Sequence, residues 1–79
     1  MGRPANPYAP RPAEVSAAAG RPVVVGGRRV ESVREQWLVE DRWWSGAPMR
    51  RHYMELVLAG GRCSVVFCDL ETNRWFTQR

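Results

Sequence analysis

Met54-Glu55-Leu56-Val57-Leu58-Ala59-Gly60-Gly61-Arg62-Cys63-Ser64-Val65-Val66-Phe67 is the stretch on which the fold turns. Two runs of mostly apolar residues flank a Gly pair, and glycine supplies the positive φ that a tight hairpin turn demands. The pattern predicts two antiparallel strands. With Gly60 and Gly61 as a two-residue loop, Ala59 faces Arg62, and the pairs Leu58 with Cys63, Leu56 with Val65 and Met54 with Phe67 form a uniformly apolar face. The opposite face pairs Val57 with Ser64, Glu55 with Val66 and Tyr53 with Cys68, which is mixed. The first face is expected to meet the core. In this register His52 lies opposite Asp69, at the end of the ladder.

Upstream, Gly26-Gly27 separates residues 22–25 from residues 28–32 and predicts a second hairpin. Its outgoing strand continues through Trp37 and Val39, with Val33, Glu35, Trp37 and Val39 on one side and Arg34, Gln36, Leu38 and Glu40 on the other. The alternation is imperfect. A helix is the alternative for residues 32–44, because Ser32 and Glu35 form a capping box and Val33, Trp37, Glu40 and Trp44 recur at helical spacing. We adopt the strand because the hairpin leads directly into it. Residues 44–48 read as a loop from their Ser, Gly and Pro. Downstream, Leu70-Glu71-Thr72-Asn73 is a turn, with Asn73 able to occupy the left-handed region, followed by a short strand over residues 74–77.

Residues 1–21 hold four of the six prolines and a run of alanines, with no repeating apolar face, and are expected to form a disordered tail. Two P-x-x-P spacings, at Pro4 with Pro7 and Pro7 with Pro10, would suit a polyproline ligand, but a plain linker is the preferred account. The expected architecture is therefore a small all-β domain over residues 22–79. It is a five-stranded antiparallel meander that can curl into an SH3-like half-barrel.

Seventy-nine residues make one domain at most, and a chain of that size buries only about 60% of the surface its unfolded form exposes. Large rings give the most burial per ordered residue, so most of the four Trp, two Phe and two Tyr are expected in the core. All twelve basic residues are arginine, against eight acids, for a net charge of +4. Arg3, Arg11 and Arg21 against Glu14 place half of that excess in residues 1–21, which leaves a slight basic balance for the rest. Cys63 and Cys68 are five residues apart, so an extended strand points them to opposite faces and they should not bridge. With no signal-like apolar run, and no stretch near the roughly 18 apolar residues that cross a bilayer, a cytoplasmic protein with reduced thiols is expected.

Catalytic chemistry finds little to build on. There is one His, no G-x-S-x-G elbow and no carboxylate pair in an apolar frame, so an enzyme is not expected. His52, Cys63, Cys68 and Asp69 are the plausible metal ligands, but the two thiols diverge, and no phosphate loop follows either Gly pair. No metal or cofactor is expected. What remains is an interleaving of basic and aromatic residues: Arg42, Trp43, Trp44, Arg50, Arg51, Tyr53, Arg62, Arg74 and Trp75. Guanidinium groups hold phosphates while exposed rings stack on unpaired bases. The plainer account is that one of the adjacent Trp43 and Trp44 is core while the other covers a rim under arginine stems.

At these residues the chain resembles a small bacterial domain found alone, or at the C-terminus of ImuB-like homologues of Y-family DNA polymerases. The resemblance rests on Gly27-Arg28-Arg29-Val30 leading to Trp37, on Asp41-Arg42-Trp43-Trp44, on Pro48 with Arg50, Arg51 and Tyr53, on Val66-Phe67 before Asp69-Leu70, and on Thr72 followed by Arg74-Trp75-Phe76. It spans residues 22–79. Cys68 departs from the family pattern, which often has Arg there, and Asn73 stands where Gly is frequent. The resemblance implies an accessory role in translesion synthesis and DNA damage tolerance. The partner would be a DNA-repair polymerase-complex protein or single-stranded or primer-template DNA, met by a non-catalytic module that is a monomer or weak homodimer. Trp43 and Tyr53 would then be stacking or anchor residues, with Arg42, Arg50, Arg51 and Arg74 as cations. A different reading is a self-associating structural domain that joins through an open sheet edge near Val23 or Trp75.

Overall fold

Glycine pairs, asparagine and one strained alanine set the turns of this chain, as seen in a computed structural model that describes residues 10–41 and 49–78. Seven strands result: β1 (Arg11–Pro12), β2 (Val15–Ala18), β3 (Arg21–Val25), β4 (Arg28–Asp41), β5 (Met49–Leu58), β6 (Arg62–Asp69) and β7 (Arg74–Gln78). They form one curled antiparallel half-barrel sheet in the order β1-β7-β6-β5-β4-β3-β2. No helix occurs among the described residues, so the helical alternative for residues 32–44 fails over its described part.

The first Gly pair behaves as expected. Gly26 and Gly27 have φ of 56° and 83°, and Val25 pairs with Arg28 across a two-residue loop of the type I′ kind. In β4 the imperfect alternation has a cause: register shifts at Val30/Ser32 and at Val33/Glu35 mark two bulges. Each bulge inserts a residue and re-aims the side chains that follow. Val30 and Val33 therefore both turn toward the interior, while Glu35, Trp37 and Val39 turn outward.

The second hairpin corrects the expected register by one residue. Its loop is three residues long, Ala59-Gly60-Gly61, so that Leu58 pairs with Arg62, Leu56 with Ser64, Met54 with Val66 and Tyr53 with Phe67. Gly61 N donates to Leu58 O at 2.9 Å and Gly60 has φ of 91°, the pattern of a type II turn with one further left-handed residue. A slip of one exchanges the faces of the partner strand. Phe67 leaves the Met54 face, Val66 replaces it, and His52 pairs with Cys68 while Arg51 takes the place opposite Asp69. Replacing both Gly60 and Gly61 with Val is expected to cost roughly 1–2 kcal/mol at each site, because L side chains resist the left-handed region. No atom lies within 4 Å of a Cβ at either glycine, so the loss is backbone strain, and an unchanged denaturation midpoint would show that the turn lies elsewhere.

Two strands lie where a disordered tail was expected, and they raise the count from five to seven. Val15–Ala18 forms a hairpin with β3 around Ala19 and Gly20, whose φ values are 53° and 79°, and Arg11–Pro12 pairs with β7. Only Ala13 and Glu14 separate these strands, yet they occupy opposite margins of the sheet. Ala13 N donates to Trp75 O at 3.0 Å, and Gly26 N donates to Glu14 O at 2.8 Å. One extended segment thus bridges both margins and holds the sheet curled. Pro22 is tolerated in β3 because the register shift at Ser16/Ala17 relieves the ladder where Pro22 pairs with Ala17.

Inside the curl lie Val25, Met54, Leu56, Leu58 and Val66, with Val15, Val30, Val33 and Trp75 packed against them. Full burial of an aliphatic side chain contributes about 1.5–3 kcal/mol, so this small cluster carries much of the stability. At the β6–β7 turn, Asn73 has φ of 62°. Asp69 Oδ1 accepts from Glu71 N at 2.9 Å, and Asp69 O accepts from Asn73 N at 2.6 Å.

Candidate functional site

The one-residue register shift gathers aromatic residues on the outer face. Trp37 pairs with Tyr53, Tyr53 with Phe67, Phe67 with Phe76, and Phe76 with Pro12, giving a row across five strands. Trp37 stacks on Tyr53 with centroids 5.5 Å apart and planes 6° from parallel. Tyr53 and Phe67 are 4.8 Å apart, and Phe67 and Phe76 are 5.1 Å apart. Such cross-strand contacts stabilise a sheet beyond their area burial. The row is graded: Phe67 is 1% exposed and Trp37, at the β4 end, is 41% exposed.

The next row on the same face reads Val39, Arg51, Asp69 and Arg74. The Arg51 guanidinium carbon lies 4.5 Å from the Phe67 ring centroid, a cation–π contact, and Arg51 Nη1 donates to Tyr53 Oη at 3.2 Å. Arg51 Nε is buried without a hydrogen-bond partner among the described residues. Arg74 is exposed at the row's end. On the other side of the aromatic row, Glu35 and Glu55 are direct cross-strand neighbours, a like-charge pairing that costs free energy.

Of the sequence-derived candidates, the structure brings together Arg51, Tyr53 and Arg74. Arg50 projects to the opposite face, where its Nε bonds Glu40 Oε2 at 2.9 Å in an exposed ion pair of the kind that contributes little. Trp75 also lies on the inner face, against the core. Arg62 is at the far end of the molecule, beside Arg28, Cys63 and Ser64 around a cleft of about 270 Å³. Arg42, Trp43 and Trp44 lie outside the described residues. Trp37, Phe67 and Phe76 were missed as members of one surface, and only a three-residue loop at Gly61 would have aligned them.

His52 does not meet a carboxylate. Its Nε2 lies 3.0 Å from Gln36 Oε1, with Cys68 as its cross-strand neighbour. Cys63 and Cys68 are free, one exposed on the outer face and the other half-buried on the inner. Burial pushes the Cys68 thiol up, and the neighbouring Asp69 charge adds to the effect. Among the described residues no group of three His, Cys, Asp or Glu is placed to hold a metal ion, and no helix is long and apolar enough to cross a membrane. The chain matches no protein-family model, no curated protein and no solved structure.

Proposed function

We propose that this domain is a non-catalytic binding module, an accessory to translesion DNA synthesis and DNA damage tolerance that works in the cytoplasm. It docks onto a protein of the polymerase complex through the outer face of β4–β7. The observation that supports docking is the graded aromatic row, rigid at Phe67 and half-exposed at Trp37, flanked by Arg51 and Arg74. A half-exposed indole held in place by a stacked tyrosine is the residue chemistry of interface hot spots, where little entropy is lost on binding. The repair assignment itself rests on the resemblance to the domain of ImuB-like polymerase homologues.

Contact with single-stranded or primer-template DNA is the second reading, favoured by the exposed Arg74. Two features favour protein over DNA. Stacked neighbours already occupy the ring faces within the row, and Asp69 stands between Arg51 and Arg74. In titrations against a purified ImuB-like polymerase homologue, Trp37→Ala is expected to weaken binding by roughly 30-fold, the scale of a 2 kcal/mol hot spot, and Arg74→Ala by less. Affinity should depend weakly on salt. Binding of labelled single-stranded DNA that falls steeply and linearly in log salt would instead select the DNA reading, and binding to neither would remove both.

For the structural alternative, self-association through edges near Val23 or Trp75, the Trp75 edge is taken by Ala13 N, which donates to Trp75 O, while Val23 stays exposed between β2 and β4.

A further inference from the structure

The long strand β4 has an edge that no described residue covers. It pairs with β5 from Val30 to Asp41, but with β3 only at Arg28 and Arg29. Backbone directions follow from one bond: Leu70 N donates to Arg50 O at 2.9 Å, so Arg50 and every second residue of β5 aim their peptide groups at β6. The intervening Arg51, Tyr53 and Glu55 aim theirs at β4, toward Val39, Trp37 and Glu35. In an antiparallel ladder the remaining β4 residues must point the other way. The N–H and C=O groups of Gln36, Leu38 and Glu40 therefore face outward from the sheet, with no strand beside them among the described residues.

Apolar side chains flank this edge on both faces. Among the described residues, the large apolar side chains left exposed are Val23 at 42%, Trp37 at 41% and Leu38 at 54%. Trp37 stands on the outer face of the edge and Leu38 on the inner. Val23 lies where β3 diverges from β4, around a cleft of about 340 Å³ that Pro22, Val30, Val33 and Glu31 also line. Unpaired strands with apolar flanks are templates for another strand.

Charge decides the occupant. Glu35 and Glu55 sit side by side on the outer face next to this edge, and no described side chain forms an ion pair with either; the one such pair among the described residues is Arg50 with Glu40. A second copy of the chain does not relieve this. Antiparallel strands related by a two-fold axis place residues of equal parity opposite each other. Centred on Gln36, Trp37 or Leu38, the copy sets Trp37, Val39 or Asp41 against Glu35, and never a cation.

We propose that the free edge of β4 at Gln36–Leu38–Glu40 accepts an extended segment of a partner protein by strand addition, with a Lys or Arg opposite Glu35 and apolar residues opposite Trp37 and Leu38. The backbone bonds supply affinity, while the cation over Glu35 and Glu55 fixes register and sign. The site stands on the β4 edge and these two carboxylates, so it survives if the outer-face reading above fails.

The test uses the full chain and a synthetic peptide built around Val-Val-Thr-Lys-Thr, which sets Lys opposite Glu35 and Val opposite both Trp37 and Leu38. Amide NMR should show the largest shifts and slowed hydrogen exchange at Gln36, Leu38 and Glu40. N-methylating alternate peptide bonds on the side that faces β4 should abolish the effect. The double variant Glu35→Gln/Glu55→Gln, which relieves repulsion and so keeps the fold, should bind about 5-fold more weakly, the scale of one surface charge contact near 1 kcal/mol. Arg74→Ala should leave peptide binding unchanged, which separates this site from the outer-face reading. Equal binding of the same peptide with Glu in place of its Lys, shifts centred elsewhere, or protection of the same amides in a concentration-dependent dimer without peptide would overturn the proposal.

Discussion

Phe67→Ala is expected to bring the domain to the edge of unfolding at 25 °C, with up to about half of the molecules unfolded. Phe67 is 1% exposed and sits at the centre of the outer row, 4.8 Å from Tyr53, 5.1 Å from Phe76 and beneath the Arg51 guanidinium. Truncating a buried Phe costs about 3–5 kcal/mol, close to the whole stability of roughly 5 kcal/mol at the low end for small domains. The cost falls at the upper end here for a specific reason. The cavity would leave Arg51, whose Nε is already buried without a partner among the described residues, without the ring that compensates it. Urea denaturation followed by tryptophan fluorescence and far-ultraviolet circular dichroism reads the outcome. Phe76→Ala, at the half-buried end of the row, should be milder and keep a cooperative transition. If Phe67→Ala lost no more than Phe76→Ala, the row would be decoration on a stable sheet rather than a second core.

Removing the strand that closes the sheet is expected to have the second largest effect. A chain beginning at Ala19, compared with one beginning at Pro10, lacks β1 and β2 and their pairings with β7 and β3. Each backbone hydrogen bond contributes about 1 kcal/mol net, and Val15 also leaves the core cluster. The entropy of ordering this short segment offsets part of the loss. A fall in Tm of at least about 10 °C is expected, since 1 kcal/mol corresponds to roughly 4–8 °C in a domain of this size. Aggregation should accompany it, because the β3 and β7 edges are both uncovered. Equal melting of the two chains would mean that the five expected strands suffice, as the proline and alanine content of residues 1–21 suggests.

These two sites mark where sequence reasoning reached and where it stopped. The turns were legible, because Gly26, Gly27 and Asn73 advertise positive φ and all three adopt it. The core face of β5 was legible too: Met54, Leu56 and Leu58 are buried, as their alternation indicates. The strand character of residues 32–41 was readable from its hairpin, although two bulges blurred the period that would have made it plain. Among the site candidates, Arg51, Tyr53 and Arg74 share a face, while Trp75 and Arg50 were assigned to a surface that their parity denies them.

By itself, then, the amino-acid order determined an antiparallel all-β chain, the places where it turns, and one buried face of its central strand. Those features depend on local torsion preferences and on a period of two, both of which are written residue by residue. The tertiary structure alone decided the register of β6, the membership of the outer aromatic row, the closure by Arg11–Ala18 and the open edge of β4. A Gly-Gly pair suits a loop of two residues or of three, and that single residue exchanges the faces of every partner. Backbone hydrogen bonds between distant strands leave no mark on side-chain identity, so a closing strand made of Val, Ser and Ala looks like tail until the sheet curls to meet it.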